Sequence, residues 1–312
     1  MRSIAARVIV GGMVLLLVGG CGGGDDGDNG PGGGSSGPFT AVVDGDAWAA
    51  DELTINAQTV PAVPGGFVLV GSQSVSSNEV RSITLSLYNV RGTGTYALGV
   101  LPNVIGGIAT YGQGGAGLAS AWVTPLNGHA GSVTLTALTA TRIAGTFSYD
   151  ASDNAGSFRH VTEGQFDVPL SSGGALPAVP DNAGGRLTGT VGGAAYNASL
   201  LAVTQSGPTG VAFSSTSDTL AVTISLSGVT AAGTYDITTQ SAATGRYIVV
   251  TRSGVSPVPS WGTGNGTSGS IVVTSLTSTR VKGTFTATLG PQANSGASTP
   301  LSVSGDFDVG LP

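Results

Sequence analysis

The run Gly131–Phe147 returns as Gly269–Phe285. In the first copy Val133 and Leu135 alternate with Thr134 and Thr136, and Ile143, Gly145, Phe147 and Tyr149 alternate with Arg142, Ala144, Thr146 and Ser148. A period of two puts alternate side chains on opposite faces, so each run is a strand with one apolar and one wet face. The segment Leu138–Thr141 between them is short enough for a direct antiparallel return. In the second copy Ile271, Val273, Val281, Gly283 and Phe285 take the inward places. One hairpin written twice predicts one domain written twice. Gly145 and Gly283 interrupt the inward apolar set, which marks a bulge or a close backbone approach.

The flanking sequence repeats in the same order. Val42–Trp48 reads as a strand, a turn and a second strand, and its counterpart is Gly192–Tyr196. Ser82–Leu87 corresponds to Leu220–Leu226, and Gly94–Leu98 to Gly233–Ile237. Tyr111 is matched roughly to Tyr247, and Trp122 to Trp261. Gly164–Leu170 and Gly305–Leu311 close the two copies. No amphipathic helix is legible in this region. Many short alternating strands separated by turn residues predict an all-β chain of two tandem antiparallel β-sandwich domains, with small β-barrels as the alternative. Periodicity does not separate the two, since both alternate in and out. The expected boundaries are 39–170 and 186–312, with 171–185 as a Pro-containing interdomain linker. Each copy is large enough to bury about two-thirds of its unfolded surface, so neither needs a disulfide.

Composition narrows the chemistry. Charged residues are 9% of the chain, there are 53 glycines, and the formal net charge is -6. High glycine with low charge is compatible with disorder, but alternating apolar faces are not a property of disordered chains. An acidic, Lys-poor chain lacks the clustered cations that phosphate contacts need, so nucleic acid is not an expected partner. The one cysteine, Cys21, rules out an intrachain disulfide.

Arg2 and Arg7 precede the apolar run Val8–Val18, followed by Gly19, Gly20 and Cys21. That is the plan of a secretory signal, and the run is too short for a comfortable membrane span. Val18–Cys21 resembles a bacterial lipobox. The resemblance implies a signal peptide over 1–20, diacylglycerol on the Cys21 sulfur and a membrane held as partner through that lipid. Gly22 after the cysteine leans, by the same resemblance, toward the outer membrane. Residues 21–38 then form a lipidated Gly-rich tether reaching about 20–25 Å. Asp25, Asp26 and Asp28 in the tether lack the distal bidentate carboxylate of a calcium loop. Gly33–Gly37 matches a nucleophile-elbow pattern but has neither a strand before it nor a helix after it.

The order of motifs resembles a family of uncharacterised secreted bacterial lipoproteins. Those motifs are Trp48 near the start, a Gly-Thr-Tyr strand, the Gly-Ser hairpin, and a final Gly-x-Phe-Asp-Val strand. The resemblance implies fold and location and carries no activity. The second copy departs from it at Tyr196, where the first has Trp48.

Candidate sites are few. His129 and His160 have no counterpart in the second copy, and a histidine base needs a positioned nucleophile and an orienting carboxylate. Glu163 lies near His160 in sequence, yet no serine is singled out. A zinc site needs three or four good ligands, so no metal or cofactor is expected. Trp122 and Trp261, and Tyr96 and Tyr235, repeat at equivalent places. They are core aromatics or platforms for stacking a sugar or lipid. Asp167 and Asp308 repeat on the closing strands, pointing outward as sheet-edge charges or as a carboxylate site for metal or sugar. Arg142 and Arg280 repeat at the start of the second hairpin strand, each within reach of a cross-sheet carboxylate. The expected function is a non-catalytic envelope lipoprotein whose duplicated β-domains bind a glycan, lipid or protein, or serve structurally. A barrel carrying a small apolar ligand is the alternative, and an extracytoplasmic hydrolase the weaker one.

Overall fold

A computed structural model describes residues 38–312 except 116–117, 172–175, 177, 206–209, 238–244 and 265–266. The signal, Cys21 and the tether up to Gly37 lie outside the described residues. Of the described residues, 63% are in strands and 1% in helix. No helix among the described residues is long and apolar enough to cross a membrane.

The first copy folds into β1 (Phe39–Val43), β2 (Asp46–Ala49), β3 (Asn56–Thr59), β4 (Phe67–Ser76), β5 (Glu79–Tyr88), β6 (Gly94–Leu98), β7 (Gly106–Gly115), β8 (Leu118–Val123), β9 (Gly131–Leu138), β10 (Arg142–Ser152) and β11 (Phe158–Pro169). A single 3-10 turn, Glu52–Thr54, interrupts them. The second copy repeats the series as β12 (Gly185–Val191), β13 (Ala194–Asn197), β14 (Leu200–Gln205), β15 (Val211–Ser217), β16 (Leu220–Leu226), β17 (Gly233–Asp236), β18 (Arg246–Arg252), β19 (Ser260–Gly262), β20 (Ser268–Leu276), β21 (Arg280–Pro291) and β22 (Leu301–Gly310). Each copy is one continuous 11-stranded sheet. The sheets curl into barrel or half-barrel shapes. In the first, β8 pairs with both β7 and β10, and β6 joins β7 in parallel. Past the end of β11, the Ser171 amide donates to the Ala57 carbonyl of β3 at 2.8 Å. A curled sheet satisfies the same in-out alternation as two stacked ones, so strand pairing and not side-chain period separates the shapes.

The duplicated hairpin is β9–β10 and β20–β21, and its inward residues are the core. Val133, Leu135, Ile143, Phe147 and Tyr149 are buried, as are Ile271, Val273, Val281 and Phe285. Both glycines sit where the register slips, between Ala144 and Gly145 and between Val273 and Ser275. A Cβ on Gly145 would lie 2.3 Å from the Thr134 carbonyl oxygen, and one on Gly283 would lie 2.2 Å from that of Val272. The bulge and the close backbone approach are therefore one feature. Beneath the bulges lie the rings of Phe166 and Phe307.

Each copy has its own apolar cluster, Phe39, Trp48, Phe147 and Phe166 among the first, Phe213, Phe285 and Phe307 among the second. The segment between the copies is fastened by hydrogen bonds. The Arg91 guanidinium, from the first copy, donates to the carbonyls of Pro180 and Ala183 at 2.9 and 3.0 Å. The Arg280 guanidinium, from the second, donates to those of Asp181 and Ala183 at 2.6 and 3.1 Å. Burial and the neighbouring Arg280 charge push the Arg91 guanidinium below its ordinary pKa. Val100 and Val104, in the β6–β7 loop of the first copy, are buried in the second cluster. Val104 forms a parallel bridge to Gly185. The Asn103 side chain donates to the Leu201 carbonyl, and that of Asn197 to the Gly128 carbonyl at 2.7 Å. Residues Ser36–Pro312 accordingly form one compact unit.

Candidate functional site

At one end of the first barrel the β1–β2 turn, β5, β7 and β11 enclose a cleft of about 150 Å³. The turn supplies Asp44, β2 supplies Asp46 and Trp48, β5 supplies Arg81, β7 supplies Tyr111 and Gln113, and β11 supplies Arg159. Asp44 adopts φ 52 and is followed by Gly45 at φ 93, the left-handed pair of a tight two-residue hairpin turn. That turn throws both aspartates onto the rim. The Asp44 carboxylate accepts from the His160 amide at 2.8 Å and sits 3.3 Å from Arg159. The Arg159 guanidinium lies 4.2 Å above the Trp122 ring, a cation–π contact that fixes its plane.

On the opposite side Glu79 accepts from Arg81 Nε at 2.9 Å and from Gln113 Nε2 at 3.0 Å. One carboxylate thus orients a guanidinium and an amide, leaving the terminal Arg81 nitrogens without a hydrogen bond among the described residues. The Asp46 carboxylate likewise has none. Trp48 lines the cleft while only 2% exposed, packed edge-on to Phe39 with centroids 5.5 Å apart. Its indole N–H is buried without an acceptor, and the Tyr149 hydroxyl is also unpaired. Burial pushes the Tyr149 hydroxyl far above the usual tyrosine range. Buried polar atoms are nearly always satisfied, and each exception calls for a reason.

The second copy is an internal control. Trp122 pairs with Tyr111, and Trp261 with Val250, so Val250 and not Tyr247 occupies the Tyr111 place. The same registers put Leu220 at the Arg81 place and Arg252 at that of Gln113. Leu301 replaces Arg159, and Ala287 replaces Tyr149. Gly192 and Ala194 replace Asp44 and Asp46. Tyr196 replaces Trp48, and its hydroxyl is satisfied by Ser215 Oγ at 2.8 Å. The first copy also has one more residue between Val161 and Phe166 than the second has between Val303 and Phe307. The extra length is a bulge at Glu163, φ 52.

Tyr196 provides a pH test of this second end. Burial pushes its hydroxyl up to about 12, against about 10 in an unfolded chain. A raised pKa means the folded state keeps the proton that the unfolded state has released. The stabilisation is whole below pH 10 and is lost as pH rises toward 12. The expected loss is about 2–3 kcal/mol. Urea midpoints measured at pH 9 and pH 11.5 should fall further apart in the native chain than in Tyr196→Phe.

The residues singled out by sequence lie as follows. Tyr96 and Tyr235 donate to the carbonyls of Gly92 and Ala231, both at 2.8 Å, each closing its own approach loop. Arg142 grips Asp167 in a two-pronged pair, 2.6 Å at Nε, and Arg280 grips Asp308. The Arg142 hydrogen bond holds the Asp167 carboxyl below its ordinary pKa. Trp122 lies on β8, donating from its indole to Ser157 Oγ at 3.1 Å, and Trp261 lies on β19, donating to the Thr299 carbonyl at 2.9 Å. Of these residues, Trp122 adjoins the cleft through Arg159. His160 Nδ1 is 2.7 Å from Asp150, both side chains exposed, and no serine or threonine is recorded against this pair among the described residues. Among the described residues no group of three or more His, Cys, Asp or Glu is placed to hold a metal ion. Sequence reasoning passed over Arg81, Asp44, Asp46, Gln113 and Arg159. The usable signal was the substitution of Trp48 by Tyr196, read together with Asp44, Asp46, Arg81 and Arg159, which lack a polar counterpart in the repeat, whereas Gln113 has Arg252.

No protein-family model, no curated protein and no solved structure matches the chain.

Proposed function

We propose that the chain is a non-catalytic binding lipoprotein of the bacterial envelope, held at the membrane by lipid on Cys21 and binding its ligand in the cleft at the Trp48 end of the first barrel. One observation carries the reading. Two copies of the same sheet differ at this end in a directed way, the first presenting unpaired polar groups around a cleft, the second carrying Leu220, Leu301, Ala194 and a satisfied Tyr196. Each copy keeps a buried polar atom without a partner, Trp48 Nε1 and Tyr149 Oη in the first and Thr263 Oγ1 in the second, so the reading rests on the polar rim of the cleft. The filled aromatic interiors argue against an apolar carrier, which needs a cavity where Phe39, Phe147 and Phe166 stand. The lipobox resemblance supports the anchor, and the Gly-rich tether gives the compact unit clearance from the headgroups.

The test has two parts. The full chain expressed in a bacterium should incorporate labelled palmitate and enter the detergent phase, and Cys21→Ser should do neither. Purified full chain offered ester, glycoside, peptide and phosphoester substrates should show no turnover above a heat-denatured control. Turnover removed by His160→Ala would sink the reading, because the His160–Asp150 pair would then be a catalytic base with its orienter.

A further inference from the structure

We infer that the Trp48 cleft recognises one neutral, hydroxyl-bearing ring, a sugar residue, and that each chain binds one. The inference rests on the binding reading above and assigns the ligand class. Size comes first. About 150 Å³ corresponds to roughly five waters, which a single polar ring fills.

Charge excludes the simpler ligands. Asp44, Asp46 and Glu79 face Arg81 and Arg159, so the rim carries one net negative charge, which disfavours an anion. Both arginines already have a carboxylate partner, so neither is a free anion receptor. A cation would find Asp46 but would meet two guanidinium groups. What the cleft offers is a donor beside an acceptor: the terminal nitrogens of Arg81 and the Asp46 carboxylate. A hydroxyl group both donates and accepts, so adjacent hydroxyls on one ring satisfy a carboxylate and a guanidinium at the same time. The Tyr111 ring, tilted against Trp122 with centroids 5.8 Å apart, adds an apolar wall for the C–H face of the ring.

The repeat fixes the stoichiometry. Stacking on the duplicated Trp122 and Trp261 predicts two equivalent sites. The cleft predicts one, because the second copy has Leu220 and Ala194 in place of Arg81 and Asp46.

The experiment is calorimetric titration of the full chain in a non-glycosidic detergent with a panel of neutral hexoses and N-acetylhexosamines, beside glycine and glutamate. The expected result is binding of at least one sugar with one site per chain. Affinity should fall about tenfold or more in Asp46→Asn, which loses a charge-assisted acceptor, and severalfold in Arg81→Lys, which keeps the charge and loses the guanidinium fork. Asp46 is exposed, so Asp46→Asn should keep the native thermal midpoint and its binding loss is not a folding defect. Two sites per chain, sugar binding indifferent to both substitutions, or no sugar bound at all would each overturn the inference. Binding of an amino acid abolished by Asp46→Asn would overturn it too, while leaving the binding-module reading intact. Catalytic turnover would sink that reading without touching the ligand class.

Discussion

Arg280→Ala is expected to destabilise the protein by about 3–5 kcal/mol, while Arg142→Ala at the matching place leaves the urea midpoint nearly unchanged. The pairs are copies: each arginine opens the second hairpin strand and meets the aspartate of the closing strand. What differs is the surroundings. Arg142 and Asp167 remain 54% and 38% exposed as side chains, where an ion pair is screened and solvated in either state. Arg280 is 3% exposed and also fills the Asp181 and Ala183 carbonyls. Its removal leaves the Asp181 and Ala183 carbonyls with Arg91 alone, at 3.3 and 3.0 Å, and Asp308 with Lys282 at 3.3 Å as its remaining partner. Arg280→Lys should recover little, because one ammonium cannot serve a carboxylate and two divergent carbonyls. Equal midpoints for Arg280→Ala and Arg142→Ala would mean that Arg91 alone satisfies those carbonyls, and Arg280 would lose its part in the clamp.

The fold was legible because its signal is local. Alternation at Val133–Leu135 and Ile271–Val273 names strands and their inward faces without reference to anything distant. The repeat then names a second sheet. Curling was not legible, since β6, β8 and β9 meet β7 and β10 through pairings that side-chain period does not encode. The joint was legible as a boundary and not in its contacts. Pro180–Ala183 reads as linker by composition, yet its carbonyls are held by Arg91 and Arg280 from the two copies, and nothing in the sequence of a short proline-containing stretch shows which side chains will reach it. The cleft was half legible. Trp48 against Tyr196 stood out as a departure from the repeat, but the repeated aromatics drew the attention. Repetition marks what both copies need, which is packing. A site owned by one copy shows where the repeat fails, at Arg81 against Leu220 and Asp46 against Ala194.

The joint has a consequence for how the molecule unfolds. In the native chain the two sheets should lose structure in one transition, and Val104→Asp should split it in two. Val104 belongs by sequence to the first copy and by burial, at 1% exposure, to the second core. With Val100 it plugs the second sheet from outside, and the Ile105 amide donates to the Gly185 carbonyl at 2.8 Å. A carboxylate at that place either stays buried without a partner, at a cost of about 3–5 kcal/mol, or drags the β6–β7 loop out and exposes Leu187 and Leu201. Either way the second sheet loses support that the first was lending. Single-tryptophan variants separate the signals, Trp122 reporting the first sheet and Trp261 the second. Trp261 fluorescence should move to lower urea while Trp122 keeps most of its midpoint. Val104→Ala, which trims without charging, should lower both together. One shared transition in Val104→Asp would place the coupling elsewhere, with the Arg91 and Arg280 clamp, because that clamp joins the copies through backbone carbonyls and does not depend on the loop staying docked.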